Sequence, residues 1–164
     1  MKNTDKVKRL TTAALTVAVA LMLSYIESFI PSPGVPGMKL GLANIAVVFT
    51  LYKLGAPDAA AVSGVRILLS ALLFGSIASL LYSASGALLS LAVMTLLKKS
   101  DVFSVCGVSI AGGVAHNIGQ ILCAVAVSNT PELYYYLPAL IASGVATGAV
   151  IGVAGGLLYK KIRI

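Results

Sequence analysis

The sequence predicts an all-α membrane protein: a polytopic bundle of six transmembrane helices forming a single domain over residues 1–164. Three observations carry this. First, 59% of the 164 residues are hydrophobic and only 10% are charged, and the mean hydropathy is +0.99. A soluble domain carries about 25% charged residues. A chain this short cannot hide so much apolar surface in its own interior, and the same composition excludes disorder. Second, charged and turn-forming residues cut the chain into six apolar segments. Third, the basic residues gather where one face of such a bundle would lie.

The first span covers residues 10–30 and stops at Pro31-Ser32-Pro33-Gly34. Its basic start (Lys2, Lys6, Lys8, Arg9) and Ala18-Val19-Ala20 mimic a signal peptide. The apolar run continues for about ten residues more, beyond the usual length of such a region, which favours a retained helix. The second span, residues 40–54, is short and ends at Gly55-Ala56-Pro57. Residues 59–97 hold a single charge, Arg66. One crossing needs about 20 residues, so this stretch is two spans, 58–75 and 77–97, turning near Gly75–Ser79. The fifth span covers residues 105–127, ending at Ser128-Asn129-Thr130-Pro131, and the sixth covers 136–158.

With the N-terminus in the cytoplasm, the inner side holds Lys2, Lys6, Lys8, Arg9, Lys53, Lys98, Lys99, Lys160, Lys161 and Arg163, ten of the twelve basic residues. The outer side keeps Lys39, and Arg66 lies within a span. This is a positive-inside pattern with both termini cytoplasmic, as in a bacterial plasma-membrane protein. It accounts for the net charge of +7 without nucleic acid as a partner. Tyr134, Tyr135 and Tyr136 fall at the outer interface and Tyr52 and Tyr159 at the inner one, as an aromatic belt would.

Polar groups within a bilayer are costly, and here they are few: Glu27, Asn44, Arg66, His116, Asn117 and Gln120. All fall at middle to outer depth, on four different spans. His116 and Gln120, four apart, share a helix face, and Asn117 flanks it. Together with Lys39 just outside, they form a candidate substrate-binding set opening outward, with cations enough to favour an anionic ligand. The competing reading is an internal network, with Glu27 pairing Arg66 and the amides bonding between helices. A proton relay through Glu27 and His116 is weaker, because no polar group continues inward.

Small residues form stripes at four-residue spacing: Gly144, Gly148 and Gly152 on the sixth span, and Thr16, Ala20 and Ser24 on the first. Such stripes let helices approach closely. They serve either packing within the bundle or, on the first span, docking of another membrane protein. Cys106 and Cys123 would lie about 25 Å apart on one helix, too far for a disulfide.

No phosphate-binding G-x-x-x-x-G-K-[ST] loop and no H-E-x-x-H occurs, so no cofactor or metal is expected. The three aspartates, Asp5, Asp58 and Asp101, are isolated, whereas a Mg²⁺–diphosphate site gathers several carboxylates. No catalytic residue is assigned, and an enzyme is disfavoured.

The stretch Pro31-Ser-Pro-Gly-Val-Pro-Gly-Met-Lys-Leu-Gly-Leu-Ala-Asn44 resembles the signature of the Gx transporter family, also described as heptaprenyl diphosphate synthase component I. Arg66 in Val-Arg-Ile-Leu-Leu-Ser, Leu73-Phe-Gly-Ser76, Leu81-Tyr-Ser-Ala-Ser-Gly86 and the run from Gly107 to Gln120 agree with it. The family is similar to the solute-binding S components of energy-coupling factor (ECF) transporters. The resemblance implies capture of a small solute, anionic or isoprenoid- or quinone-related, from the outer face. It also implies docking of the Thr16/Ala20/Ser24 face onto a transmembrane T component driven by two ATPases. The family's other description implies instead a non-catalytic membrane subunit associated with heptaprenyl diphosphate or menaquinone synthesis, handling lipid. A standalone secondary transporter fits less well, since no inverted repeat is visible.

Overall fold

The computed structural model describes residues 2–30 and 41–162. Six α-helices account for nearly all of them: α1 (Lys2–Ser28), α2 (Asn44–Lys53), α3 (Ala56–Phe74), α4 (Ile77–Lys99), α5 (Val105–Ser128) and α6 (Leu137–Lys161). A 3₁₀ turn at Pro131–Tyr136 leads into α6. Five of the helices are long and apolar enough to cross a membrane, and large apolar side chains are exposed along all five. The protein is a multi-pass membrane protein.

Local chemistry sets the helix ends. Ser76 caps α4, its hydroxyl accepting a hydrogen bond from the Ser79 amide (3.2 Å), and Ser104 caps α5 in the same way through the Gly107 amide (3.1 Å). A serine at this position satisfies an amide that has no partner inside the helix. Asp58 sits in the first turn of α3, and Lys98 and Lys99 sit in the last turn of α4, each matching the helix dipole. Asn129 ends α5 in the left-handed conformation (φ 51°). The turn between α3 and α4 is only Gly75-Ser76, at the start of the predicted interval.

Two boundaries differ from the sequence expectation. α1 begins at Lys2 rather than near Leu10, because no helix-breaking residue separates the charged leader from the apolar run. α2 has ten residues, about 15 Å of helix, half of a hydrocarbon core of about 30 Å. It cannot cross by itself, and the segment before it turns at Gly41, whose φ of 89° suits glycine.

Each helix touches two others in a closed circuit, α1–α3–α4–α5–α6–α2 and back to α1, and α2 also touches α3. The contacts α4–α5 and α5–α6 are backbone-close. A Cβ on Gly144 would lie 2.9 Å from the Gly113 carbonyl oxygen, and one on Gly119 would lie 2.7 Å from the Ser85 carbonyl oxygen. The Gly144/Gly148/Gly152 stripe is therefore an internal packing face. Cys106 and Cys123, both on α5, are unbonded.

The interior has two unlike halves. The half nearer the chain termini is apolar: Val47, Val48 and Leu51 of α2 pack with Ala59, Met94, Val108 and Ile151. Its end is fastened by cations. Arg9 donates to Asp58 (2.8 Å), Lys98 to the Leu51 carbonyl (2.6 Å) and Lys53 to the Ile162 carbonyl (2.7 Å). Lys98 and Lys53 also lie over the rings of Tyr52 and Tyr159. The opposite half buries polar side chains instead.

Candidate functional site

The site is built from the middle and far ends of the helices. α3 turns Arg66 inward, where the residue is 3% exposed, and α1 does the same with Glu27, also 3% exposed. α5 buries His116 and Gln120. Glu27 lies close enough to Arg66 to act on it electrostatically, and so does Arg66 on His116. Three helices thus bring three ionisable side chains into one neighbourhood. Gln120 Nε2 lies 3.0 Å from His116 Nε2, the i,i+4 pairing expected of one helix face. Glu27 also accepts a hydrogen bond from the Gly41 amide, and the Asn44 amide donates to the Gly41 carbonyl (2.8 Å). Glu27 therefore holds the entry to α2, placing buried Asn44 at the edge of the cluster.

The structure brings together Glu27, Asn44, Arg66, His116 and Gln120. It does not bring in Asn117. That side chain faces α6, its Nδ2 donating to the Leu140 carbonyl at 2.7 Å. A one-residue step on a helix turns the side chain by about 100°, enough to move Asn117 from the cluster to the α5–α6 seam. Lys39 and the Pro31–Gly37 loop lie outside the described residues. The Thr16/Ala20/Ser24 stripe, expected as a docking face, is buried. Ala20 and Ser24 have no exposed surface and Thr16 almost none. Ala20 packs against Ala43, the residue before α2, and Ala46 of α2, so the stripe seats α1 in the bundle. The reason is that small residues serve a short helix as well as a partner protein.

Sequence reasoning passed over the hydroxyls. Ser63 and Ser70 of α3 are buried, as are Ser79, Tyr82, Ser83 and Ser90 of α4. The spacing Ser79, Ser83, Gly86, Ser90 marks one face of a helix and was readable once α4 was recognised. Gly86 on that face meets α5 directly: a Cβ there would lie 2.8 Å from the His116 carbonyl oxygen and 3.0 Å from the imidazole Cε1.

The electrostatics of Arg66 define what the site can do. Its Nε and Nη2 are buried with no hydrogen-bond partner among the described residues, and neither has the Gln120 amide oxygen. A guanidinium held out of water needs acceptors, and leaving its donors unmet is expensive. A planar fork of N–H groups matches a carboxylate or phosphate. His116 and Gln120 add donors or acceptors on the facing helix. Among the described residues no three His, Cys, Asp or Glu side chains gather as metal ligands.

Comparison with known proteins places the chain in a family. A solved structure described as "Structure and mechanism of the S component of a bacterial ECF transporter" shares the fold, with a TM-score of 0.63, 20% identity and 95% of each chain covered. No curated protein sequence matches. The family model for heptaprenyl diphosphate synthase component I matches residues 16–158, the stretch that carries every buried polar side chain described above, and the chain belongs to that family.

Proposed function

We propose that the chain is a membrane-embedded solute-binding component that captures a small anionic molecule in its polar half. The observation that carries this is Arg66, a buried guanidinium with two donors unmet, facing groups from α1 and α5. Both termini lie in the cytoplasm on this reading, since the terminus-proximal end collects the lysines, so the polar half faces outward. Release inward would pass the apolar cluster of Val48, Leu51, Met94 and Ile151. That barrier suits a component moved by a partner better than a channel. The partner is then an ECF-type T component with its ATPases, in line with the shared fold. The proposed binding residues are Glu27, Asn44, Arg66, His116 and Gln120, with Lys39 completing the set from the loop.

The test is mass spectrometry of small molecules that copurify with the protein, wild type against Arg66→Gln. An anionic compound retained by the wild type and lost from a folded variant is the expected result; identical extracts from the two would overturn it. Copurification of T component and ATPases tests the assembly separately.

A second reading, a non-catalytic membrane subunit of prenyl diphosphate synthesis, is favoured by the description of the matched family. Its distinguishing result is pull-down of a soluble prenyl synthase together with loss of long-chain product on deletion.

A further inference from the structure

His116 and Gln120 retain an unpaired acceptor whichever way their mutual hydrogen bond runs. Gln120 Nε2 lies 3.0 Å from His116 Nε2, and the two residues are only 1% and 4% exposed. If the amide donates, the imidazole proton sits on Nδ1 and the Gln120 oxygen is left without a donor. If the amide is turned over, its oxygen accepts from the Nε2 hydrogen and His116 Nδ1 becomes the bare acceptor. A neutral imidazole and an amide joined by one bond thus keep one acceptor free in either arrangement. The Gln120 oxygen and His116 Nδ1 are both buried without a hydrogen-bond partner.

Among the described residues no donor serves that acceptor. α4 meets the pair at Gly86, which has no side chain to offer; a Cβ there would lie 2.9 Å from Gln120 Cγ and 3.0 Å from His116 Cε1. The neighbouring Ser85 hydroxyl is already engaged with the Tyr82 and Gly119 carbonyls, each at 3.0 Å. Arg66 is near enough to act on His116 electrostatically, and its Nε and Nη2 donors are unmet as well. Yet the guanidinium does not bond the Gln120 oxygen. Donors and an acceptor that would suit one another are buried in one neighbourhood and held apart, which is costly on both sides. A molecule between them satisfies both if it offers acceptors to Arg66 and a donor to the pair.

We infer that the bound anion carries an N–H or O–H donor of its own: its acidic group faces Arg66 and its donor faces the acceptor left by the His116–Gln120 pair. This rests on the proposed anion site and deepens it by fixing a second functional group on the ligand. Hydroxy acids and acids bearing an amide or amine qualify. A fully ionised diphosphate ester offers acceptors alone and would leave the acceptor of the pair bare, so the site selects against it. A buried polar group without a partner rejects an analogue that fails to supply one.

The test uses 3- and 4-hydroxybenzoate as probes against 3- and 4-fluorobenzoate, titrated calorimetrically near neutral pH into the full chain in phosphatidylcholine nanodiscs, with empty nanodiscs subtracted. Ring and carboxylate are shared, so each pair of probes reports the donor. At least one hydroxybenzoate is expected to bind the wild type at least about tenfold more tightly than its fluoro counterpart. The double variant His116→Phe/Gln120→Met removes every acceptor of the pair and should cut that preference to about twofold or less. Of the single variants, Gln120→Met should do the same if the amide oxygen is the acceptor and His116→Phe if Nδ1 is, which guards against a folding defect in the double one. Equal binding of the hydroxy and fluoro probes by the wild type, with both lost in Arg66→Gln, overturns the donor while leaving the anion site standing. A preference undiminished in the folded variants also overturns it. Binding of none of the four probes by the wild type, or binding indifferent to Arg66→Gln, overturns the anion site and the inference with it.

Discussion

The two halves of this bundle are made by the same helices and solve opposite problems. Toward the chain termini, α2 inserts Val47, Val48 and Leu51 among Ala59, Met94, Val108 and Ile151, forming the main apolar cluster. Toward the other end, α1, α3, α4 and α5 turn Glu27, Arg66, Ser70, Ser79, Ser83, His116 and Gln120 inward. Lipid outside is as apolar as the first half, so water expulsion gives that half little advantage; it holds by close contact. The second half carries costs that only a partner for Arg66 removes. Packing therefore belongs to one end and, on the proposed function, recognition to the other.

The seam that both halves share should be the most sensitive. Gly144→Leu would drive a side chain into the Gly113 carbonyl and Val114 Cα, each 2.9 Å from the first added atom. Separation of α5 from α6 should cost at least about 3 kcal/mol, seen as loss of the monodisperse species in size-exclusion chromatography. A variant that purifies normally would show that the glycine seam is not what holds the halves together.

Paired substitutions sharpen the contrast. Leu51→Ser leaves a cavity in the apolar half and should lower stability by about 2–4 kcal/mol without touching ligand affinity. Arg66→Met should act chiefly on binding. Removing the guanidinium ends its unmet hydrogen bonds but leaves buried Glu27 without the nearby cation, so stability should fall by no more than about 3 kcal/mol, while ligand affinity falls at least about tenfold. Thermal unfolding and equilibrium binding on the same samples check both; if Arg66→Met unfolds the protein, the arginine belongs to the scaffold.

A smaller effect separates neighbours. Asn117→Ala strips the Leu140 carbonyl of its donor and should cost about 1–2 kcal/mol of stability with binding preserved. Lost binding in a folded Asn117→Ala protein would return that residue to the site.

Much of this was legible beforehand. Composition alone required a membrane bundle, and the shortage of ionisable groups made Glu27, Arg66 and His116 conspicuous. The turn at Gly75-Ser76 could be placed because 39 residues with one charge cannot be a single crossing. The direction of Asn117 was not legible, since adjacent residues on a helix face different neighbours and the sequence does not say which helix stands where. Nor was the burial of Thr16, Ala20 and Ser24, because a small-residue stripe fits an internal helix and a foreign one equally well. The Ser79/Ser83/Ser90 face was legible in principle; serine's low cost in a helix hid it beside the charged residues.

The sequence by itself determined the membrane, the number of segments and the residues that had to be accounted for, because transfer free energy and helix length depend only on local composition. The tertiary structure alone decided which of those residues meet. Helix order in the circuit brings Arg66 between Glu27 and His116 and sends Asn117 to α6. These are outcomes of backbone-close packing between segments far apart in the chain, and no local pattern encodes them.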